Sequence, residues 1–231
     1  KGGLTEGPAV APDGSIFFSD IPMNKDGGAG MILRHDPRTG KTTTFKTDSG
    51  KSNGLMFDAE GRLVGCQGAD YGKRRLTRWN IKTGEEVELA GKFNGKRFNA
   101  PNDLAIDRSG RIYFTDPRYV GHESRELESR AVYRLDGDGK VREITSAVRK
   151  PNGIALSPNE KTLYVADHDN GTDRIDPTLP SPKQGEMKLY AFSLDDSGLA
   201  TGKRKALVDF GKEIGIDGMT IDTRGNLYLA L

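Results

Sequence analysis

The feature that most constrains this chain is one short phrase written five times. Its clearest copy opens on the polar pair Asn102-Asp103 and continues through the apolar run Leu104-Ala105-Ile106. A turn at Asp107-Arg108-Ser109-Gly110 leads into Ile112-Tyr113-Phe114, and the acid Asp116 closes it. The other copies are anchored at Glu6, Asn53, Asn152 and Asp217, so the anchors lie 47, 49, 50 and 65 residues apart. In four of the five, a glycine follows the anchor by eight residues; the fourth copy has none there and carries one extra residue. A recurrence at this spacing marks a repeat architecture, in which each unit covers its apolar faces only by stacking on its neighbours.

Between these hairpins lies a second kind. Met31–Asp36 returns through Lys41–Phe45 after Thr39-Gly40, and Leu76–Asn80 returns through Glu86–Leu89 after Thr83-Gly84. Ala131–Leu135 turns at Asp136-Gly137-Asp138-Gly139, and Leu189–Leu194 turns near Ser197-Gly198. Alternating or β-branched runs joined by such turns predict hairpins, and no stretch predicts a helix. Each repeat is therefore four strands, two apolar inner ones and two amphipathic outer ones. The expected fold is all-β, a β-propeller of four-stranded blades forming a single domain over residues 1–231. A β-sandwich is the weaker alternative, because it does not explain an anchor at a fixed phase.

Four repeats and half of a fifth do not close a ring, so the sequence predicts either a longer native protein or a fragment of one. Lys1 runs almost directly into the first repeat, which leaves open an upstream segment and with it the compartment, cytoplasmic or periplasmic. Composition narrows the partners. A formal charge of +2 from 35 basic and 33 acidic side chains gives no electrostatic case for nucleic acid. No apolar run is long enough to span a membrane, and the expected state is a soluble monomer or weak oligomer. The single cysteine, Cys66, excludes an intrachain disulfide and reads as a small core residue.

In a propeller, residues at one phase of successive inner strands converge on the central channel. Here that phase holds Glu6, Asn53, Asn102, Asn152 and Asp217, all of them oxygen donors and two of them anionic. Such a set suits a hard divalent cation. Asn or Asp before Gly also reads as an ordinary turn residue, but a turn requirement explains neither Glu6 nor Asn102 followed by Asp103. The closing acids Asp20, Asp116 and Asp167 read as structural ties at the other end of the inner hairpin. Residues 117–130 and 168–187 interrupt the repeat and are expected to form a rim or lid.

Thr5-Glu6-Gly7-Pro8, Asn99 through Leu104, Tyr113 through Pro117, Pro151 through Ala155 with Leu163 through Asp167, and Asp217-Gly218-Met219 together resemble the senescence-marker/gluconolactonase family. The resemblance spans nearly the whole chain, in the family's order. It implies a six-bladed propeller whose last blade is missing here, with a divalent cation held by Glu6, Asn102, Asn152 and Asp217. Ca²⁺ comes first, with Mg²⁺, Mn²⁺ or Zn²⁺ as alternatives. Asn53 would line the same pocket. The implied activity is hydrolysis of a sugar lactone or similar small cyclic ester. The cation would polarise the carbonyl, and Asp217 would serve as general base toward water.

Arg97, Tyr119 and His122, near the third anchor or in its rim loop, are candidates for substrate binding. Where relatives often carry an acidic, histidine-containing turn, this chain has Gln67-Gly68-Ala69-Asp70, which leaves the substrate open. His35 and His168 read as structural, and Arg74-Arg75 as a solvated basic turn. Phosphotriester hydrolysis on the same site, or a non-catalytic binding propeller tied by its metal, are the competing functions.

Overall fold

A computed structural model of the chain describes residues 3–22, 28–173 and 183–231. Lys1 and residues 174–182 of the second interrupting loop lie outside the described residues. The apolar periods become twenty strands, and no helix forms among the described residues. It follows that no helix is long and apolar enough to cross a membrane.

The first blade is β1 (Leu4–Val10), β2 (Ile16–Ile21), β3 (Met31–Asp36) and β4 (Lys41–Lys46), and the second is β5 (Ser52–Phe57), β6 (Leu63–Gln67), β7 (Arg75–Trp79) and β8 (Glu86–Ala90). A small hairpin, β9 (Lys92–Phe93) and β10 (Lys96–Arg97), precedes the third. That blade comprises β11 (Leu104–Ile106), β12 (Ile112–Asp116), β13 (Ala131–Leu135) and β14 (Val141–Thr145). The fourth comprises β15 (Pro151–Leu156), β16 (Thr162–His168), β17 (Met187–Leu194) and β18 (Ala200–Asp209). The inner hairpin of a fifth follows as β19 (Met219–Ile221) and β20 (Leu227–Leu229). Every four-stranded sheet is antiparallel and ordered as the chain runs, which is the propeller blade expected from the repeat.

The core lies between blades. Phe17, Ile32, Leu55, Leu63 and Trp79 pack the first blade on the second. Val64, Cys66, Leu76, Leu104 and Phe114 pack the second on the third. Tyr113, Ile154, Val165 and Phe192 continue into the fourth, and Leu189, Ile216 and Leu227 into the fifth hairpin. The period of two accounts for this. On β6, Leu63 faces one neighbour while Val64 and Cys66 serve the other, so all five of its residues are buried. Successive inner strands lie side by side in order: β1 by β5, β5 by β11, β11 by β15, β15 by β19.

The turn of the inner hairpin explains the glycine eight residues after the anchor. Gly14, Gly61, Gly110 and Gly225 all adopt a left-handed φ between 72° and 88°. The fourth copy keeps that conformation without glycine, with Glu160 at φ 57°. Its carboxylate accepts the Arg108 amide of the neighbouring blade at 2.8 Å, a contact glycine cannot make.

Candidate active site

Glu6, Asn53 and Asn152 lie within β1, β5 and β15, while Asn102 and Asp217 stand two residues ahead of β11 and β19. In β1, β5 and β15 the ladder slips beside the anchor, between Glu6 and Ala9, Ser52 and Leu55, and Pro151 and Ile154. Such bulges twist a strand locally and re-aim its side chains. The glycine after the anchor has its own reason. A Cβ on Gly7 would lie 2.2 Å from the Asn53 carbonyl oxygen, one on Gly54 2.8 Å from that of Asn102, and one on Gly153 2.6 Å from that of Asp217. In each case it is the next anchor's backbone that passes there. Gly54 N donates to the Asn102 carbonyl at 2.7 Å, and Gly153 N to that of Asp217 at 2.8 Å. Asn-Gly is thus an inter-blade stitch that brings neighbouring anchors together.

The third copy replaces the glycine with Asp103, and its carboxylate makes the stitch. It accepts the amides of Leu104 (2.9 Å) and, on the fourth blade, Ile154 (3.2 Å). Asp103 is a site residue that the repeat pattern alone did not single out. The signal available was the departure from glycine at a phase where the four other copies have it.

Electrostatics shows the convergence directly. Burial, then the charges of Asp217 and Asp103, push the Glu6 carboxyl up to about 7. Burial does the same to Asp103, also to about 7, against its two amide donors and with Asp217 adding to the rise. Asp217 itself accepts a hydrogen bond from Asn152 Nδ2 at 2.6 Å, and Asn152 is only 5% exposed. Three carboxylates from the first, third and fifth repeats therefore share one field, with no cationic side chain among the causes of the Glu6 and Asp103 shifts. No three His, Cys, Asp or Glu side chains among the described residues stand close enough to hold a metal alone. A cation here has to draw on amide oxygens as well, as the donor set of two acids and asparagines allows. Asn152 would present its oxygen by a half-turn of the amide.

The closing acids sit at the anchors' own end of the inner hairpin, contrary to the expectation from sequence. Asp116 accepts the amides of Asn99 (2.8 Å) and Ala100 (2.6 Å), and Asp167 those of Arg149 (3.2 Å) and Lys150 (3.0 Å). Asp20 takes Gly3 N at 2.8 Å. Each acid sits at or one residue before the end of the second strand and pins the lead-in to the first, because antiparallel pairing returns it beside the anchor.

The proposed substrate residues divide. Tyr119 enters the site: its hydroxyl donates to the His168 carbonyl at 3.1 Å, meets the Asn152 side chain and lies in the field of Asp217. Lys150 Nζ stands 4.6 Å from the centre of its ring and bonds Asn170 Oδ1 at 2.8 Å. Lys150 is 1% exposed, and burial lowers its ammonium to about 8. Asn53 lies on β5 with its carbonyl held by Ser19 Oγ at 2.8 Å. His122 is on the rim, stacked on Tyr71. Arg97 does not join the ring. Carried on β10, it donates to the Lys73 carbonyl at 3.0 Å and lines a cleft beside the outer strands with Glu88 and Val141.

Arg74 is another correction. It is 2% exposed and donates to the Phe98 carbonyl at 2.7 Å, while Arg75 pairs with Glu86 (2.5 Å) and Glu88 (2.6 Å). The loop of the third blade closes over Arg74, so the basic turn is not solvated. His168 is hydrogen-bonded to the Ile216 carbonyl (3.1 Å) and His35 to Thr42 Oγ1 (3.0 Å).

Residues 4–231 match the family described as SMP-30/Gluconolactonase/LRE-like region. A gluconolactonase of Zymomonas mobilis is 32% identical over 242 residues, covering 97% of this chain and 63% of that protein. The lactonase drp35 of Staphylococcus epidermidis is 29% identical, covering 100% and 64%. The chain thus spans a little under two thirds of the length of these relatives. Among solved structures, a gluconolactonase from Xanthomonas campestris superposes with a TM-score of 0.78 at 29% identity, covering 99% of this chain and 70% of its own. A calcium-binding regucalcin from Agrobacterium tumefaciens shares the fold, with a TM-score of 0.69 at 21% identity over 99% and 68%.

Proposed function

Because this chain belongs to the SMP-30/gluconolactonase/LRE-like family, we propose that it is a lactone hydrolase acting on a sugar lactone or similar small cyclic ester with the help of one divalent cation. The observation that carries the reading is the gathering of Glu6, Asp103 and Asp217 in one field without a compensating cationic side chain. Glu6, Asn102, Asn152 and Asp217 would hold the cation, with Ca²⁺ the best match to an all-oxygen set of mixed acids and amides. When bound, it supplies charge stabilisation for the oxyanion that develops at the lactone carbonyl.

The remaining chemistry falls to side chains. Asp217, beside Asn152 in the site, accepts a proton from the attacking water. Water oxygen bonds to the carbonyl carbon, the ring carbon–oxygen ester bond breaks, and the proton passes to the departing ring oxygen. The product is the open hydroxy acid. Tyr119 and Asn53 line the pocket and orient the ring, and His122 reaches the substrate from the rim. Asp103 holds the third and fourth blades together, which keeps Asn102 and Asn152 in register.

The test is hydrolysis of gluconolactone and a small lactone panel by the full-length protein, after chelation and after adding back Ca²⁺, Mg²⁺, Mn²⁺ or Zn²⁺. Turnover lost with chelator and restored by one cation is the expected result. Tight cation binding with no turnover on any lactone would replace this reading with a non-catalytic binding role.

A further inference from the structure

The rim holds a feature that neither the core nor the anchor ring accounts for. Tyr71, in the loop between β6 and β7, is 59% exposed yet adopts φ 70°, and Asp70 before it adopts φ 60°. A left-handed conformation is costly for a residue with a side chain, and for a bulky one it persists only where the surroundings impose it. Here Glu123, from the loop between β12 and β13, imposes it by accepting both amides, Asp70 N at 3.0 Å and Tyr71 N at 2.9 Å. Gly68 and Gly72 flank the loop, so glycine would have served if only the turn mattered. An exposed ring contributes little to stability. The strain is spent on holding a tyrosine outward.

The ring does not stand alone. His122 stacks on it, with centroids 3.9 Å apart and planes 29° apart. His122 Nδ1 lies 3.4 Å from Asp70 Oδ1, and Asp70 Oδ2 accepts Lys51 Nζ at 3.0 Å. Lys51 is 4% exposed and directly precedes β5, the strand of Asn53. On the other side, His122 is three residues from Tyr119, which stands in the site. The pair is thus fastened to the anchor ring through two routes. Burial acts to raise the Asp70 carboxyl, but the hydrogen bonds and charges of Lys51 and His122 outweigh it and keep the group below its ordinary value, as a ready acceptor.

We propose that Tyr71, stacked on His122 beside Asp70, is the shelf on which the polyhydroxylated part of the substrate rests. An aromatic face carries negative potential and attracts the polarised C–H groups of a sugar, while a neighbouring carboxylate accepts its hydroxyls. The shelf makes the site prefer a sugar lactone over an unsubstituted one. This rests on the lactone-hydrolase reading above.

The test compares wild type, Tyr71→Gly and Tyr71→Phe in the full-length protein, with gluconolactone and δ-valerolactone as substrates. Tyr71→Gly removes the ring and relieves the strained φ, so it folds at least as well as wild type. Its KM for gluconolactone is expected to rise about tenfold, the scale of one aromatic contact, with kcat within about twofold. The KM for δ-valerolactone stays unchanged, and Tyr71→Phe restores wild-type values. Equal changes on both lactones, or none on either, overturn the shelf. Should the wild type hydrolyse no lactone, the hydrolase reading falls by itself. Calorimetric titration with gluconate then decides the shelf: binding lost in Tyr71→Gly upholds it, and binding that is equal or absent in both overturns it.

Discussion

Glu86 shows how single residues fasten one blade to the next. Its carboxylate receives Lys46 (3.3 Å), from the last strand of the first blade, together with Lys73 (3.1 Å) and Arg75 (2.5 Å). Burial acts to raise its pKa, but the three cations outweigh that and pull it down to about 2. A carboxyl depressed on folding stabilises the protein above its unfolded value, and that stability is lost as pH falls through the folded value. Glu86→Gln is therefore expected to lower stability at pH 7 by about 1 kcal/mol, discounted for partial exposure. In denaturant titrations, the gap between wild type and variant should close between pH 4.5 and 2. A gap that stays constant over that window would show that the cations do not act through this carboxylate. Arg74 and Asp103, by contrast, were not legible from their neighbours in sequence. The burial of Arg74 depends on Phe98 and Ser124, and the role of Asp103 on the amide of Ile154. All three partners are distant along the chain.

At the scale of elements, the inner hairpins were the most legible part of the chain. Their strands, turns and phase recur, and the same physical demand acts on each: both faces of the blade must find a neighbour. The reason for glycine after the anchor was hidden, because a close approach between strands of different blades leaves the same Asn-Gly signature as a turn. The β9–β10 hairpin went unpredicted although Asn94-Gly95 adopts the two positive φ values, 49° and 80°, that this pair favours in a tight hairpin. Its strands are two residues each, too short for a periodic signal. The stitch itself can be tested. Gly153→Ala places a Cβ 2.6 Å from the Asp217 carbonyl oxygen, and overpacking of this kind costs about 1–3 kcal/mol. Urea denaturation should show that loss, and kcat should fall with it as Asp217 is displaced. A variant of wild-type stability and activity would mean the inner strands are free to separate there.

For the whole molecule, the consequence is that the proposed ligands come from four different blades, so a bound cation ties the ring across its centre. A ligand that binds only the folded state at about 100 times its Kd adds about 2.7 kcal/mol of stability. Saturating Ca²⁺ should accordingly raise the melting temperature of the wild type, and chelator should remove the increase. A cation that binds elsewhere would stabilise an Asp217→Asn variant equally. Rim loops complete the mouth in the same distributed way. Tyr119 and Thr172 meet through a 3.0 Å hydrogen bond between the third and fourth blades, and Glu123 joins the third to the second. None of these pairings follows from local pattern, since each depends on which loops the ring brings together. The measurement that bears most directly on the account is gluconolactone hydrolysis by Asp217→Asn in the full-length protein, beside its circular dichroism and melting curve. The account predicts a native spectrum with kcat/KM reduced about a thousandfold or more, the scale of losing a group that acts on the reacting atoms. A folded variant that keeps activity within about tenfold of wild type would contradict it.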